Sequence, residues 1–137
     1  MSTFLLELLK VNIVVSTKHK NCMNSKIIAV YRLKNEARWI KKSLESIMDI
    51  CSEVIILDNG STDNTLKICK SFSKVIETIE QPHLPFDEAR DRNTLLQAAL
   101  RQKPDYILNL DGDEILMPNS KEILEEYRKV LHSNEII

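Results

Sequence analysis

The sequence predicts an α/β fold in which helices cover both faces of a mostly parallel sheet. Continuous apolar runs occupy residues 27–31, 54–57 and 106–110, and a weaker run occupies 74–78. Runs of this length are typical of strands buried on both faces of a parallel sheet. A helical pattern follows each run, and such strand–helix alternation indicates parallel strands joined by right-handed crossovers.

Four helices are predicted from apolar side chains that recur every three or four residues. The first follows Asn35, which is expected to cap it, and the second follows a cap at Ser61 or Thr62. The third is expected over residues 87–102 and the fourth over 120–132. The side chains of the third helix expected to face the sheet are Ala89, Leu95, Leu96, Ala99 and Leu100.

The composition is that of one globular domain, and it excludes nucleic-acid binding by a basic stripe. The 137 residues carry a net charge of −1, and only 5% of them are aromatic. No apolar run reaches the length of about 20 residues that a membrane span needs. Three cysteines without Cys-x-x-Cys spacing suit a reducing, cytoplasmic compartment, and we expect them to be small buried apolar groups. We expect one domain, residues 26–137, preceded by an N-terminal extension, residues 1–25, for which a helix is favoured.

Three carboxylates follow the run 106–110 directly, in the sequence Asp111-Gly112-Asp113-Glu114. Ligands bind at the carboxyl ends of strands in open α/β sheets. Asp111 and Asp113 leave the same face of an extended chain. At about 4 Å and an effective dielectric near 20 they would repel by roughly 4 kcal/mol, which a divalent cation would offset. One interpretation is therefore a site for Mn²⁺ or Mg²⁺ and a phosphate. The others are a solvated acidic turn and a phosphohydrolase with Asp111 as nucleophile.

A second acidic turn follows the run 54–57, where Asp58 and Asn59 precede Gly60 and a helix start. This arrangement is suited to holding a nucleotide, although a turn that Asp58 merely caps would look the same. Arg92 lies near the start of the third helix, where a cation gains nothing from the helix dipole. It is expected either to meet an anion or to pair with neighbouring carboxylates such as Glu88.

From about residue 26 to 119 the chain resembles the N-terminal, nucleotide-sugar half of family 2 glycosyltransferases, which have the GT-A fold. Three motifs carry the resemblance in order: residues 34–37 after the first strand, 58–63 after the second, and 111–114 after the fourth. The segment 88–93 also resembles the Ala-Arg-Asn helix start of that family. The resemblance implies a Rossmann-like α/β domain, truncated at its C-terminus.

The resemblance also implies roles for the matching positions. The first loop would line the base and ribose pocket, and Asp58 would hydrogen-bond the base. Asn59 stands where many relatives carry a second acid. Asp113 would coordinate Mn²⁺ or Mg²⁺ on the donor diphosphate, with Asp111 holding ribose or metal-bound water. The full set of nucleotide-sugar-binding residues is Tyr31, Arg32, Asn35, Glu36, Asp58, Asn59, Arg92, Asp111 and Gly112, and the metal ligands are Asp111 and Asp113.

The implied function is metal-assisted transfer of a sugar from a UDP- or GDP-linked donor to a glycan or lipid-linked acceptor. A non-catalytic nucleotide-sugar-binding module is the alternative, and a phosphohydrolase is a third. The family's catalytic base would lie beyond Ile137. We expect a protein without a membrane span, cytoplasmic or peripheral to the membrane. The strand at 106–110 would have an uncovered edge, through which the chain could form oligomers.

Overall fold

The computed structural model describes residues 12–15, 25–81 and 85–134. Five strands and four helices lie in these segments. The strands are β1 (Asn12–Val15), β2 (Ile27–Leu33), β3 (Glu53–Asp58), β4 (Val75–Glu80) and β5 (Tyr106–Asp111). The helices are α1 (Ile40–Ile47), α2 (Thr65–Lys70), α3 (Glu88–Leu100) and α4 (Ser120–Asn134).

The strands form one sheet in the order β1-β5-β2-β3-β4. Strands β5, β2, β3 and β4 run parallel, and β1 pairs antiparallel to β5. The runs 27–31, 54–57 and 106–110 are the mostly buried strands β2, β3 and β5, as continuous apolar runs predict. The weaker run is β4, an edge strand whose residues are half-buried or exposed. The prediction of a mostly parallel α/β sheet is therefore confirmed.

Two apolar cores lie on opposite faces of the sheet. One contains Tyr31 and Leu33 together with α1 residues such as Leu44, and the other contains Val30 and the α3 residue Leu95. Successive strand residues point to opposite faces, so odd-numbered β2 side chains meet α1 and even-numbered ones meet α3. This alternation decides which β2 residues can reach a site on the α3 side.

Strand β1 corrects the prediction of a bare sheet edge. Its residues Asn12–Val15 pair with Asn109, Leu108, Ile107 and Tyr106, so the edge of β5 is covered within the chain. The proposed route to oligomers through that edge therefore loses its basis. These four residues are also a strand rather than the favoured N-terminal helix, and the rest of the extension lies outside the described residues, apart from Ser25.

The helix starts differ from the predicted ones because local hydrogen bonds compete with capping. Helix α1 begins at Ile40, and Asn35 instead adopts a left-handed conformation with φ 54°. Helix α2 begins at Thr65, after both Ser61 and Thr62. Helix α3 is turned relative to its predicted orientation, with Asp91, Leu95, Ala98 and Ala99 buried and Leu100 40% exposed.

The cysteines of the described segments are unreactive in character. Cys51 and Cys69 are free and buried, and burial raises the pKa of the Cys51 thiol to about 11 and that of Cys69 to about 12. Because the thiolate is the nucleophile, both should stay unlabelled when the native protein meets iodoacetamide at pH about 8. Mass spectrometry of the digested protein measures this. Rapid native labelling of either cysteine would contradict the burial described here.

No helix among the described residues is both long and apolar enough to cross a membrane.

Candidate functional site

The carboxyl ends of β2, β3 and β5 meet at one edge of the sheet. Arg32 of β2 stands opposite Asp111 of β5, and Leu33 stands opposite Asp58 of β3. The Asn59 N–H donates to the Leu33 carbonyl at 2.8 Å, which extends the pairing one residue beyond the strand. The three motifs at residues 34–37, 58–63 and 111–114 therefore lie side by side, as the parallel order of the strands requires.

Side-chain hydrogen bonds join the first two loops. Asn35 donates its N–H to Ser61 Oγ at 2.8 Å and accepts from the Thr62 N–H through Oδ1 at 2.8 Å. The Glu36 N–H donates to Thr65 Oγ1 at 2.9 Å. Polar side chains thus satisfy backbone groups that no helix or strand pairs, and they fix the position of Glu36.

The acidic turn is closed by its own last residue. The Glu114 N–H donates to the Asp111 carbonyl at 3.0 Å, and Glu114 Oε1 accepts from the Asp111 N–H at 2.8 Å. Helix α1 anchors the turn, because Ser43 Oγ donates to the Glu114 carbonyl and Ser46 Oγ accepts from the Leu116 N–H. Glu114 is therefore a structural residue of the turn, whereas Asp111 and Asp113 are exposed.

Gly112 is buried where the acidic turn passes closest to the first loop. A Cβ at this position would lie 2.7 Å from Glu36 Cγ, 2.9 Å from Glu36 Cβ and 2.7 Å from Leu33 Cδ2. These separations are shorter than ordinary van der Waals contacts. The glycine is thus required by close approach, and the approach brings Glu36 beside the two aspartates.

A pocket of about 380 Å³ opens at this edge. Six residues predicted for the nucleotide or metal site line it: Arg32, Glu36, Asn59, Asp111, Gly112 and Asp113. The structure therefore brings together residues that lie up to 81 positions apart in the sequence. Leu33, Lys34 and Phe86 complete the lining.

Two of the predicted site residues are buried beside this pocket rather than lining it. Tyr31 is fully buried in the α1 core and shares a hydrogen bond of 2.8 Å with Ser43 Oγ, so it has no surface for a nucleotide. Asp58 is 2% exposed, and its carboxylate accepts from the Gly60 N–H and from the N–H and Oγ of Ser61. The interpretation of Asp58 as the cap of its turn is what the structure shows.

Two further predicted residues lie outside the pocket lining. Asn35 is exposed and joins the loops, as described above. Arg92 Nε donates to Glu88 Oε1 at 2.9 Å, four residues earlier on α3, so the prediction that it pairs on the helix surface fits the structure. Neither side chain lines the pocket, although the positive charge of Arg92 opposes the rise in the pKa of Glu114.

Burial and the neighbouring aspartates raise the pKa of two carboxyl groups of the site, Glu36 and Glu114. The pKa of Glu36 lies above its usual value because the group is partly desolvated and then because Asp113, Asp111 and Asp63 are near. Partial burial also raises the pKa of Glu114, to which Asp111 and Asp113 contribute. Like charges close together disfavour the ionised forms of these carboxyl groups, so a bound cation would stabilise the site.

The raised pKa of Glu36 predicts that Glu36→Gln increases the stability of the fold in a pH-dependent way. The raised pKa means that folded Glu36 binds more protons than the unfolded chain, so wild-type stability falls as pH rises through that window. The variant is expected to have a higher Tm at neutral pH without metal, and the gain should vanish in acid below the usual pKa of glutamate. Thermal unfolding followed by circular dichroism measures it.

The matched control for that variant is Glu126→Gln, because Glu126 is exposed on α4 beyond its first turn, lies outside the pocket lining, and has only a solvent-exposed ion pair with Lys129. It should change Tm little at any pH. A gain in Tm from Glu36→Gln that is the same at neutral and acid pH would show that ionisation of Glu36 is not its cause.

The donor atoms of the site suit a divalent ion that shares its coordination with a ligand. Within the described segments, no group of three or more His, Cys, Asp or Glu side chains is arranged to hold a metal. Two exposed carboxylates, Asp111 and Asp113, do line the same pocket. Mg²⁺-type ions are often bound through one or two carboxylates and complete their coordination with phosphates and water. The residues present fit that mode.

Two residues of the site were missed in the sequence. Phe86 was not among the predicted site residues, yet its ring lines the pocket and is 74% exposed. Asp91 was not among them either, and it is fully buried behind the pocket. The spacing of Asp91 from Leu95, Ala98 and Ala99 is that of a single helix face, so this pattern could have predicted that Asp91 faces the sheet.

A second pocket, of about 440 Å³, lies between α1 and residues 115–121. Its lining includes Lys42, Glu45, Met117 and Lys121 but none of the residues at the ends of β2, β3 and β5. Because ligands of such sheets bind at the carboxyl edge, the smaller pocket is the better candidate site.

The fold and the pocket together define an α/β domain with an acidic ligand site at the carboxyl edge of its sheet. The family model described as glycosyl transferase family 2 matches residues 27–131. The chain therefore belongs to glycosyl transferase family 2, and the resemblance seen in the sequence motifs is confirmed.

Several curated relatives are similar to this chain over most of its length. An uncharacterized glycosyltransferase of Rickettsia bellii (strain RML369-C) is 33% identical over 111 residues, or 81% of this chain and 34% of the relative. The lipopolysaccharide core biosynthesis glycosyltransferase LpsC of Rhizobium meliloti (strain 1021) is 32% identical over 104 residues, or 75% of this chain and 36% of LpsC. The chain thus spans about a third of the length of these relatives.

A solved structure supports the fold. The crystal structure of S. aureus TarS 1–349 matches this chain with a TM-score of 0.65 at 22% identity, covering 80% of this chain and 33% of TarS. A crystal structure of TarS 1–349 in complex with UDP matches with a TM-score of 0.61.

Proposed function

We propose that this chain forms the donor-binding part of a metal-dependent glycosyltransferase that uses a nucleotide-diphosphate sugar. The observation that carries the proposal is the pocket at the carboxyl edge, which Asp111 and Asp113 line together with Arg32 and Lys34. A nucleoside diphosphate held by a divalent ion needs carboxylates for the ion and positive charge for the phosphates. Membership of glycosyl transferase family 2 supports the same proposal.

Each residue has a distinct part in the proposed site. Asp113 and Asp111 would hold Mn²⁺ or Mg²⁺, and Gly112 lets them approach the first loop. Lys34 would face the phosphates, Arg32 would lie beside the base and the ribose, and Asn59 would contact the nucleotide from the second loop. When bound, the ion would supply Lewis-acid stabilisation of the departing diphosphate. The structure of TarS in complex with UDP favours a uridine nucleotide as the first ligand to test.

The second candidate is a binding module that does not turn over by itself. The chain spans about a third of the length of these relatives, so most of each relative lies outside the matched region. In this candidate the same pocket binds a nucleotide sugar, and another polypeptide segment provides the acceptor site. The phosphohydrolase hypothesis is not pursued, because the chain belongs to a family of glycosyltransferases.

Isothermal titration calorimetry tests the binding that both candidates share. UDP and GDP are titrated into the protein with Mn²⁺, and then with EDTA. At least one nucleotide should bind with Mn²⁺ and lose most of its affinity with EDTA. Absence of binding for both nucleotides, or equal affinity with and without metal, would contradict the proposal.

A further inference from the structure

Phe86 is an exposed aromatic ring at the pocket. It is the most exposed of the large apolar side chains of the described segments, at 74%, and it lines the same pocket as Asp111 and Asp113. The guanidinium carbon of Arg32 lies 4.6 Å from its ring centroid. This separation is that of a cation–π contact, so one face of the ring rests on a cation.

The sequence at the start of α3 explains why the Phe86 ring does not pack on its own helix. Asp87 is the N-cap and accepts from the Arg90 N–H at 3.0 Å, which makes Phe86 the residue before the cap. An apolar residue there often packs on the fourth residue of the helix. In this chain that fourth residue is Asp91, a carboxylate, so the ring lies on Arg32 and not on its own helix.

Asp91 is a buried carboxylate close to the guanidinium of Arg32. It is fully buried, its Oδ2 lies 4.0 Å from Arg32 Nη1, and neither of these atoms has a hydrogen-bond partner among the described residues. Asp91 Oδ1 accepts from Arg90 Nε and Nη2 at 3.1 and 3.0 Å. A buried carboxylate at this distance attracts the guanidinium without the geometry of a hydrogen bond. Charge and the ring contact therefore set the position of Arg32.

We propose that Phe86 is the platform on which the nucleobase of the donor stacks, and that Asp91 is a positioning residue that acts through Arg32. This inference rests on the proposed function. A nucleotide has a charged diphosphate and a flat base, and the pocket offers carboxylates for an ion together with one aromatic ring. Among the described residues that line the pocket, Phe86 alone is aromatic.

The platform recognises a planar base and is tolerant of its identity. Every base has a π-face, so stacking does not discriminate uracil from guanine as edge hydrogen bonds do. We therefore expect UDP and GDP both to depend on Phe86. Inorganic pyrophosphate with Mn²⁺ has no base and should not depend on it.

The test is calorimetry with UDP, GDP and inorganic pyrophosphate, each with Mn²⁺, on wild type, Phe86→Ala and Phe86→Trp. Phe86→Ala should weaken UDP and GDP about tenfold or more, as loss of base stacking does, and leave pyrophosphate unchanged. Phe86→Trp should keep nucleotide affinity near that of wild type. Leu100→Ala, which removes an exposed apolar side chain at the far end of α3, is the matched control.

The outcomes separate the inference from the proposed function. If wild type binds the nucleotides and Phe86→Ala binds them equally well, the stacking platform is wrong while the donor site stands. If Phe86→Ala weakens pyrophosphate as much as UDP, the ring supports the metal site and not the base, and the inference is again overturned. If wild type binds none of the three ligands, the proposed function and the inference fall together.

A double-mutant cycle tests the positioning role of Asp91. Asp91→Asn should weaken UDP in the wild-type background, leave pyrophosphate unchanged, and have little further effect in the Phe86→Ala background. Equal effects in both backgrounds would overturn the positioning role. Because Asp91 is buried, its variant could fail to fold, and the same cycle is then run with Arg32→Lys, which keeps the charge but loses the planar guanidinium that contacts the ring. Equal effects of Arg32→Lys in both backgrounds would likewise overturn the positioning role.

Discussion

Asp113→Ala is expected to abolish the Mn²⁺-dependent part of nucleotide binding, with a loss of affinity of at least about 100-fold. Replacing outer-shell partners of a metal typically costs 10–100-fold, so loss of a direct ligand should cost more. Asp113 is exposed, so the change removes no core packing. Titration of UDP in the presence of Mn²⁺, with Tm measured alongside, gives both quantities.

The matched control for that loss is Glu122→Ala. Glu122 is also an exposed carboxylate, but it lies on α4 outside the pocket lining. It should bind UDP as wild type does. Equal affinity of wild type and Asp113→Ala would remove the metal assignment, whatever the control shows.

Gly112→Ala should both destabilise the fold and weaken metal-dependent binding. The new Cβ would lie 2.7 Å from Leu33 Cδ2 and 2.7 Å from Glu36 Cγ, and Leu33 is buried. Overpacking of this kind typically costs about 1–3 kcal/mol. Relief of the overlap must move the turn that carries Asp111 and Asp113, which disturbs the proposed ligands. Urea unfolding measures the free energy, and calorimetry measures the binding.

A second substitution can rescue that variant. Glu36→Ala removes the Cγ atom, one of the two nearest contacts, so the double variant should recover part of the lost free energy of unfolding. Glu36→Ala alone serves as the reference. If Gly112→Ala has wild-type stability and affinity, the close approach does not constrain the turn.

The parallel strands and their acidic ends were predictable because both signals are local in the sequence. Residues 27–31, 54–57 and 106–110 are continuous apolar runs, and each is followed by polar residues suited to a βα turn. Strand β1 could not be predicted in the same way. It is four residues long, and its partner β5 lies about ninety residues away, so its pairing depends on contacts that no local pattern records.

The predicted site residues differ in outcome for a physical reason. Arg32, Glu36, Asn59, Asp111 and Asp113 reach the pocket because the strand order brings their loops together. Tyr31 does not, because it alternates with Arg32 and so points to the α1 core.

The hydrogen bonds of Asp58 and Asn35 also could not be predicted from the sequence. Both side chains can bind ligands or satisfy their own loops, and only the three-dimensional structure shows that they accept backbone N–H groups here. Phe86 is the reverse case. An isolated aromatic residue in a loop carries no periodic signal, so its place on Arg32 emerged only from the structure.

Paramagnetic line broadening by Mn²⁺ tests most directly whether the acidic turn binds a metal ion together with the donor nucleotide. In ¹⁵N-labelled protein with UDP, substoichiometric Mn²⁺ should broaden the amide signals of residues 111–114 and 34–36 first. Those of β4, Val75–Glu80, should stay sharp, and Asp113→Ala should suppress the effect. Broadening centred elsewhere, or persisting in Asp113→Ala, would contradict the proposed metal site.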